Sequence, residues 1–566
     1  MSLNNLKYYI ICSILFVITF YSVYFPLVNT DIWWHLTAGR YIVENHQFIY
    51  QDPFSVSAYN DQWINVHWLF QIIMYVAYAV CGLKGIIIVK AFVFAISCVI
   101  LFKLHPQSNS SFFYAFIIAV LCYSIRFFIF ARPTVFSLLF IGAFLLIIER
   151  FRTTKKENIL WLLIPLQICW VNMQGLFPLG LVILACYIMG DGITWFVQKR
   201  FWHFIGFQRM NNLSELYHPL KVFAILVAVC LVNPYGYKAF GLAFELFNRI
   251  APSIDNIYSM NVSENMPIWT INEMNAVSIV YIKIYGIIML GSFILKIKNL
   301  DLSHLFLFVV FLFLGTMAYR NIPLYLFVTA PILISNISTL SSSTIFDKAF
   351  SPWKRIRSLS IPLSIIVLFL IFQNLVKEKR DDPDSNLAPF RYPIEAVKYL
   401  KTANISGNMF NSVSEGGYIM WEMFPQKLPF IDGRLVIRSR ELFDRYLNIL
   451  DNPQSFYSLQ KQYNITHVVL PISINQRYLK LASMLYLDKN WSLVFLDASS
   501  MVLVNQPQMT HNHIDLGSSE EIHKISQGFV AQYNQNEALV FWANSNFNNL
   551  LKMINEDKLS EENKNP

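Results

Sequence analysis

Apolar residues fall in long uncharged runs separated by short polar or basic stretches, a pattern that holds from Tyr8 to Leu375 and stops at Lys377. The first run, Tyr8 to Val28, is long enough to cross about 30 Å of hydrocarbon. No small-residue cleavage site follows it, so it reads as a retained helix rather than a signal peptide. Further runs at Trp68–Val80, Gly85–Leu104, Phe112–Tyr123, Pro133–Ile148, Leu160–Val171, Phe177–Gly190, Leu220–Val232, Ala276–Leu295, Leu302–Met317, Ile322–Ile337 and Ile361–Leu375 predict a polytopic α-helical membrane protein. About 11 to 13 transmembrane helices are expected, several of them short for a full crossing.

Basic loops set the sides. Arg150, Arg152, Lys155 and Lys156; Lys199, Arg200 and Arg209; Lys296 and Lys298; and Lys354, Arg355 and Arg357 are all expected to be cytoplasmic. The loop 29–67, Arg126–Arg132, Val171–Leu176, the loop 233–275, Ala318–Ile322 and everything after Leu375 then lie on the outer face. Two full crossings between Trp68 and Leu104 would break this alternation, so one of those two runs is expected to be re-entrant or interfacial.

Beyond Lys377 the pattern becomes mixed. Short β-rich runs at Asn408–Val413, Pro429–Asp432, Thr466–Pro471, Trp491–Leu496 and Met501–Val504 alternate with helical patterns at Ile394–Thr402, Arg440–Leu450 and Arg477–Leu487. They predict a C-terminal extracytoplasmic α/β domain over 377–508. A polar extension, 509–566, follows, helical between Ser519 and Ile554 and ending in a charged tail, Asn555–Pro566, expected to be disordered. Residues 1–376 form the transmembrane domain.

Composition agrees: of 566 residues, 55% are hydrophobic and only 14% charged, which excludes an ordinary soluble protein. The net charge of +9 is carried largely by loop lysines and arginines that orient helices, so it does not point to nucleic acid. The seven cysteines lie in or beside apolar runs without metal-ligand spacing, as structural thiols do.

Unusual polar residues converge on the outer side. Asp31, His35, Asp52, His67, Arg126, Arg132, Asn172, Gln174, Asn233, Glu264, Arg320 and Asn321 are expected to ring one interfacial cavity. Ionisable groups near the bilayer are costly and are kept where they have partners or a task. Asp31 opens a predicted helix and reads either as an N-cap or as a base held ionised at a helix amino terminus. His35 falls on the same helical face. Asp52-Pro53 reads as a turn or a substrate contact. Trp33, Trp34, Trp63, Trp68 and His67 suit either an interfacial belt or sugar stacking. Asn172 and Gln174 read as a tight turn first and as sugar-hydroxyl contacts second. Asn233-Pro234-Tyr235-Gly236 is a turn signal. Arg126, Arg132 and Arg320 could snorkel singly or grip a phosphate or pyrophosphate together.

A long first outer loop with an aspartate just after the first helix, many helices and an outer α/β domain resembles membrane glycosyltransferases of the GT-C class. Asn261-Val262-Ser263-Glu264 resembles the outer-loop motif of oligosaccharyltransferase catalytic subunits. That resemblance implies catalytic roles for Asp31, as acceptor-side base and ligand of a divalent cation such as Mg or Mn, and for Glu264, as acceptor support. The chain is also similar to a group of bacterial polytopic membrane proteins that share Asp31–Leu36, Asp52–Ser55, Arg132-Pro133, Asn233–Gly236, Gly416–Tyr418 and Phe430–Arg434. It departs from the oligosaccharyltransferase pattern in having no acidic pair around Arg126–Arg132 and no Trp-Trp-Asp-Tyr-Gly element, which weakens both metal dependence and asparagine-linked transfer.

The expected function is transfer of a sugar or glycan from a polyprenyl phosphate or pyrophosphate to a lipid, glycan or protein acceptor on the outer face of the cytoplasmic (inner) membrane, among membrane lipids. In that reading Arg126, Arg132 and Arg320 bind donor phosphate, and Trp33, Trp34, His35, Asp52, His67, Asn172 and Gln174 bind substrate. A transporter of lipid-linked glycans and a non-catalytic assembly protein remain as alternatives.

Overall fold

The computed structural model describes residues 3–104, 111–200, 213–251, 256–270, 278–340, 365–377, 386–403, 405–473, 476–505, 513–533 and 536–562. Arg209, Lys354, Arg355 and Arg357, used above to set sides, lie outside them, as do residues 506–512. The chain divides into two compact units. The first comprises residues 1–25, 66–70 and 76–384; the second comprises 26–65, 71–75 and 385–566. The loop 29–67, assigned above to the transmembrane part, is thus packed almost entirely with the C-terminal residues.

The first unit is helical. Four helices among the described residues are long and apolar enough to cross a membrane: Asn5–Ser22, Trp68–Phe102, Thr134–Thr154 and Pro178–Val197. Shorter apolar helices occupy Ser111–Ser124, Glu157–Val171, Val280–Leu295, Leu302–Met317 and Ile365–Lys377. The protein is therefore a membrane protein with several apolar helices. The Trp68–Phe102 run is two helices, broken at Gly82, whose φ of 60° and ψ of −148° only glycine adopts freely. The stretch from Trp68 to Cys81 spans about 21 Å and the stretch from Leu83 to Phe102 about 30 Å, so only the second has the length of a crossing.

Where three helices of this unit meet, charged residues knot them together. Arg152 donates to Asp191 at 2.9 Å, to Asp301 at 2.9 Å and to Glu149 at 3.3 Å. Glu149 also accepts from Tyr187 at 2.7 Å and faces His304 at 2.8 Å. Asp301 caps the Leu302–Met317 helix through the amides of Ser303 and His304. Gly190 permits the close approach, since a Cβ there would lie 2.4 Å from the Ser303 nitrogen. Arg152 is more than the topology marker its position suggested.

The second unit is built on a four-stranded sheet of order β1-β2-β4-β3, with β1 Asn408–Asn411, β2 Ile465–Pro471, β3 Trp491–Leu496 and β4 Ser500–Asn505. β1 and β2 are parallel; β2 pairs antiparallel with β4, and β4 with β3. The β3–β4 turn is tied by Asp497, which accepts from the amides of Ser499 and Ser500. Helices Ile394–Thr402, Arg440–Asp451 and Leu479–Leu487 lie where the sequence pattern puts them. Two further helices, Val413–Met423 and Phe456–Tyr463, do not appear in that pattern. The first carries Gly416-Gly417, which weakens its helical signal; it is started by Ser412, whose hydroxyl accepts from the Glu415 amide at 3.1 Å.

Pro429–Asp432 is not a strand. Its backbone groups are spent elsewhere: Val56 and Ser57 amides donate to the Pro429 and Phe430 carbonyls, and Asn411 bonds both the Phe430 amide and the Ile431 carbonyl. The tail is not disordered either, for the helix Glu537–Glu562 runs through most of it; residues 563–566 lie outside the described residues.

Glu415 sits under the sheet, 1% exposed, accepting hydroxyl bonds from Ser500 at 2.7 Å and Ser412 at 3.0 Å. Burial pushes its pKa up to about 7 despite those two donors. The folded state therefore keeps a proton that the unfolded chain releases near its ordinary value of 4.5. The stabilisation is complete below that pH and is lost as pH rises through about 7. Glu415→Gln, neutral throughout, is expected to stabilise the fold above pH 7, by up to about 3 kcal/mol, and to leave its stability nearly unchanged at pH 4. Thermal unfolding of the full chain at the two pH values reads this.

Candidate functional site

Asp31 precedes the helix Ile32–Asn45 with helical backbone angles, φ −72° and ψ −24°, and its side chain makes no capping hydrogen bond. The N-cap reading therefore fails, because a capping carboxylate needs an extended backbone to fold back on the helix amides. Its amide is held by the Asn29 side chain at 2.9 Å. The approach is fixed by Tyr392, whose buried hydroxyl donates to the carbonyls of Leu27 at 2.9 Å and Asn29 at 3.3 Å.

Three glycines make room for this turn. A Cβ on Gly433 would stand 2.3 Å from the Asp31 carboxylate Oδ1, and one on Gly417 would stand 2.9 Å from the Thr30 carbonyl. A Cβ on Gly416 would stand 1.9 Å from the Ile431 carbonyl, on the strip that carries Gly433. The sequence signatures Asp31–Leu36, Gly416–Tyr418 and Phe430–Arg434, far apart along the chain, are thus one packed structure.

Beneath it lies a fully buried knot of two aspartates and two arginines. Arg434 bridges Asp432, with Nε and Nη2 both at 2.8 Å, and Asp52, with Nη1 at 2.7 Å. Arg438 Nη2 donates to Asp432 at 2.8 Å and to the Ser55 hydroxyl at 2.9 Å. Asp52 also accepts from the Phe54 amide and the Ser55 hydroxyl. The Arg434 guanidinium lies over the Trp63 ring, 4.6 Å from its centre. Burial opposes ionisation of Asp432, but Arg434 and Arg438 outweigh it and hold the carboxyl at about 2. All four side chains have zero exposure. Asp52, expected as a substrate contact, is committed to this knot, because its oxygens are already taken by arginine, amide and hydroxyl donors.

Trp33, Trp34 and His35 are buried as well. Trp33 packs edge-on to Tyr418 and Tyr392, with ring centres 4.9 and 5.5 Å away. Trp34 lies over His35, their ring centres 3.5 Å apart. These rings form the wall of the aspartate turn, so direct sugar stacking, which needs an open face, is not what their burial offers.

The other expected residues belong to the first unit. Arg132 forms an ion pair with Glu264. Burial would raise the Glu264 pKa, but Arg132 and then Arg320 pull it below the ordinary value. The Tyr319 amide donates to the Met266 carbonyl at 3.1 Å, and Phe128 packs against Tyr319 with ring centres 4.7 Å apart. The turns at 126–132, 263–266 and 319–321 therefore converge, and they bring Arg132, Arg320 and Glu264 into one electrostatic group. Arg126 is buried over the rings of Tyr123 and Phe127, at 3.8 and 4.3 Å.

His67 bonds the Gln174 side chain at 2.8 Å. Burial lowers its pKa to about 4, only partly offset by that bond, so the ring is neutral at pH 7. Trp68 Nε1 donates to Asn172 Oδ1 at 2.9 Å, while Asn172 Nδ2 donates to the Ile168 and Val232 carbonyls, both at 2.8 Å. Asn172 is thereby spent on the turn, as the first of its two sequence readings holds. Asn233 closes its own turn through Tyr235, Cys230 and Gly236.

Among the described residues, no group of three or more His, Cys, Asp or Glu side chains could hold a metal ion. Asp52 and Asp432 are neutralised by arginines, and Glu264 by Arg132. Those three carboxylates are therefore committed to arginines and not to a Mg or Mn ion. Sequence reasoning missed Arg438 and the cluster around Arg152. Their one signal was an ionisable residue at the end of an otherwise apolar stretch, as with Asp191 and Asp301.

The fold is that of the oligosaccharyltransferases, at a distance. The structure of the archaeal oligosaccharyltransferase AglB from Archaeoglobus fulgidus in complex with an inhibitory peptide and a dolichol-phosphate aligns with a TM-score of 0.53 at 12% identity, over 90% of this chain and 76% of its own. The Archaeoglobus fulgidus enzyme tethered to an acceptor peptide containing the NVT sequon aligns with a TM-score of 0.54 at 12% identity, over 89% and 75%. Its apo form gives 0.51 at 12% identity, over 87% and 74%. No family model and no curated protein matches the chain in sequence.

Proposed function

We propose that this protein is a membrane glycosyltransferase of the GT-C class that moves a sugar or glycan from a polyprenyl phosphate or pyrophosphate to an acceptor on the outer face of the cytoplasmic membrane. The observation that carries the reading is the seating of Asp31. Its carboxylate is not spent on capping its helix and sits so close to Gly433 that a methyl group there would stand 2.3 Å from Oδ1, and the aromatic residues that follow it, Trp33 and Trp34, are buried. That suits a general base that takes a proton from an acceptor hydroxyl, a task that requires a carboxylate fixed within hydrogen-bond reach. The shared fold with an enzyme solved in complex with dolichol-phosphate supports a lipid-linked donor.

In the first unit, Arg132 and Arg320 are the groups assigned to the donor phosphate. Guanidinium groups grip phosphate oxygens in pairs and stabilise the charge that builds up on a departing phosphate. Glu264, paired with Arg132, orients that arginine. Arg126, whose charge is directed onto rings, is assigned to the same phosphate-binding group. His67, being neutral, contributes a hydrogen bond rather than a charge.

The test is transfer in vitro. The purified full-length chain, given a radiolabelled polyprenyl-phosphate sugar and an envelope extract as acceptor, is expected to move label from the lipid phase to a water-soluble or higher-mass product. Label that stays entirely on the lipid, with donor and acceptor both varied, overturns the proposal.

A further inference from the structure

Gly433 is not a glycine for conformational reasons. The described glycines with positive φ are Gly82, Gly236 and Gly407, so the backbone at 433 would accept an alanine. What it lacks is space, because a methyl group there would stand 2.3 Å from the Asp31 Oδ1. Gly416 and Gly417 are likewise inside a helix, where glycine costs about 1 kcal/mol relative to alanine, and each faces a carbonyl too close for a side chain. Glycine is therefore retained at three places for clearance, and all three lie around the turn that carries Asp31.

The turn bearing Gly433 is itself anchored from both sides. Asp432 accepts from the Arg434 amide at 2.9 Å and from its side chain, and Arg434 reaches across to Asp52. The turn is closed by the Leu435 amide, which donates to the Gly433 carbonyl at 2.9 Å. Neither arginine nor either aspartate of this knot is exposed to solvent, so none of them is placed to meet a substrate.

We propose that Gly433 is a positioning residue that sets where the Asp31 carboxylate sits, with the Asp432, Arg434, Arg438 and Asp52 knot fixing the turn that carries it. This rests on the reading of Asp31 as the acceptor-side base. The device works by contact: the Cα of Gly433 forms a hard stop, and the buried ion pairs keep that stop from moving. A displacement of the reacting group by about 1 Å can cost 10²-fold in rate, and an added methyl requires a shift of about that size.

The test compares Gly433→Ala, Asp31→Asn, Asp31→Ala and the double variant Asp31→Ala/Gly433→Ala in the full-length protein, by transfer kinetics and by thermal unfolding. Gly433→Ala is expected to lower kcat about 10²-fold, to leave the donor KM unchanged and to move the acid limb of the pH–rate profile, which a merely structural role would not do. If the alanine also lowers the unfolding midpoint, the double variant should recover it, because removing the Asp31 carboxylate makes room for the methyl. Full transfer by Gly433→Ala alongside a dead Asp31→Asn overturns the positioning role and leaves the functional reading standing. Full transfer by Asp31→Asn overturns the functional reading, and the positioning role with it. A stability loss in Gly433→Ala that the double variant does not recover also overturns the contact.

Discussion

Asp31→Asn is expected to lower transfer by between about 10² and 10⁴-fold, the usual contribution of a positioned general base. The substitution nearly conserves shape. The asparagine amide fills the volume of the carboxylate against Gly433, so the close fit there is preserved and only charge and basicity are lost. The helix that follows is not expected to suffer, since the Asp31 side chain gives it no cap. Donor binding, assigned to arginines of the first unit, should also be kept. The distinguishing pattern is therefore a fall in kcat at unchanged donor KM and unchanged unfolding midpoint. Side-by-side kinetics of wild type and variant on one polyprenyl-linked donor provide the measurement.

Arg434→Met is expected to destabilise the second unit by about 3 to 5 kcal/mol, the usual cost of removing one partner from a buried ion pair. Methionine fills much of the same space, so the loss comes from charge rather than from a cavity. Asp52 and Asp432 would be left with one arginine between them, at zero exposure, where water cannot compensate. Limited proteolysis of the C-terminal residues, with the unfolding midpoint, reads the effect. Replacing all four members by apolar residues of matching volume should cost far less than the single change, since it is the uncompensated charge that is expensive. Equal loss in both variants would mean that packing, not charge, holds the knot.

The apolar runs are legible because a membrane imposes one rule, about twenty uncharged residues per crossing, and most of the predicted segments are helices. The strands are legible for a similar reason: Thr466–Pro471, Trp491–Leu496 and Met501–Val504 are short apolar runs that carry β-branched or aromatic residues. Pro429–Asp432 shows where that logic stops. Its Phe-Ile pair looks like a strand, but its hydrogen bonds go to Val56, Ser57 and Asn411, partners that no local pattern can reveal. The helix at Val413–Met423 was obscured by glycines that serve clearance at a cost in propensity. Asp31 could be singled out from sequence, though not the reason it stands out, because Gly433, which crowds it, lies between β1 and β2, far along the chain. Asp52 was the reverse case, an ionisable residue conspicuous in the sequence because it is a structural anchor.

The pairing of Asp52 with Arg434 joins residues 382 positions apart. During synthesis the segment from Pro26 to Asn65 is made early, yet most of its packing partners emerge only after the membrane helices have been inserted. Closing so long a separation is slow by comparison with helix formation, and domains fold as their chain becomes available. Until then Trp33, Trp34, Asp31 and Asp52 of that segment have no C-terminal residues to cover them. The nascent chain is therefore without its aspartate cradle until the final third is being made, so a protein of this design carries its own check on completion: the Asp31 turn takes shape only in a molecule that has been translated past Arg438.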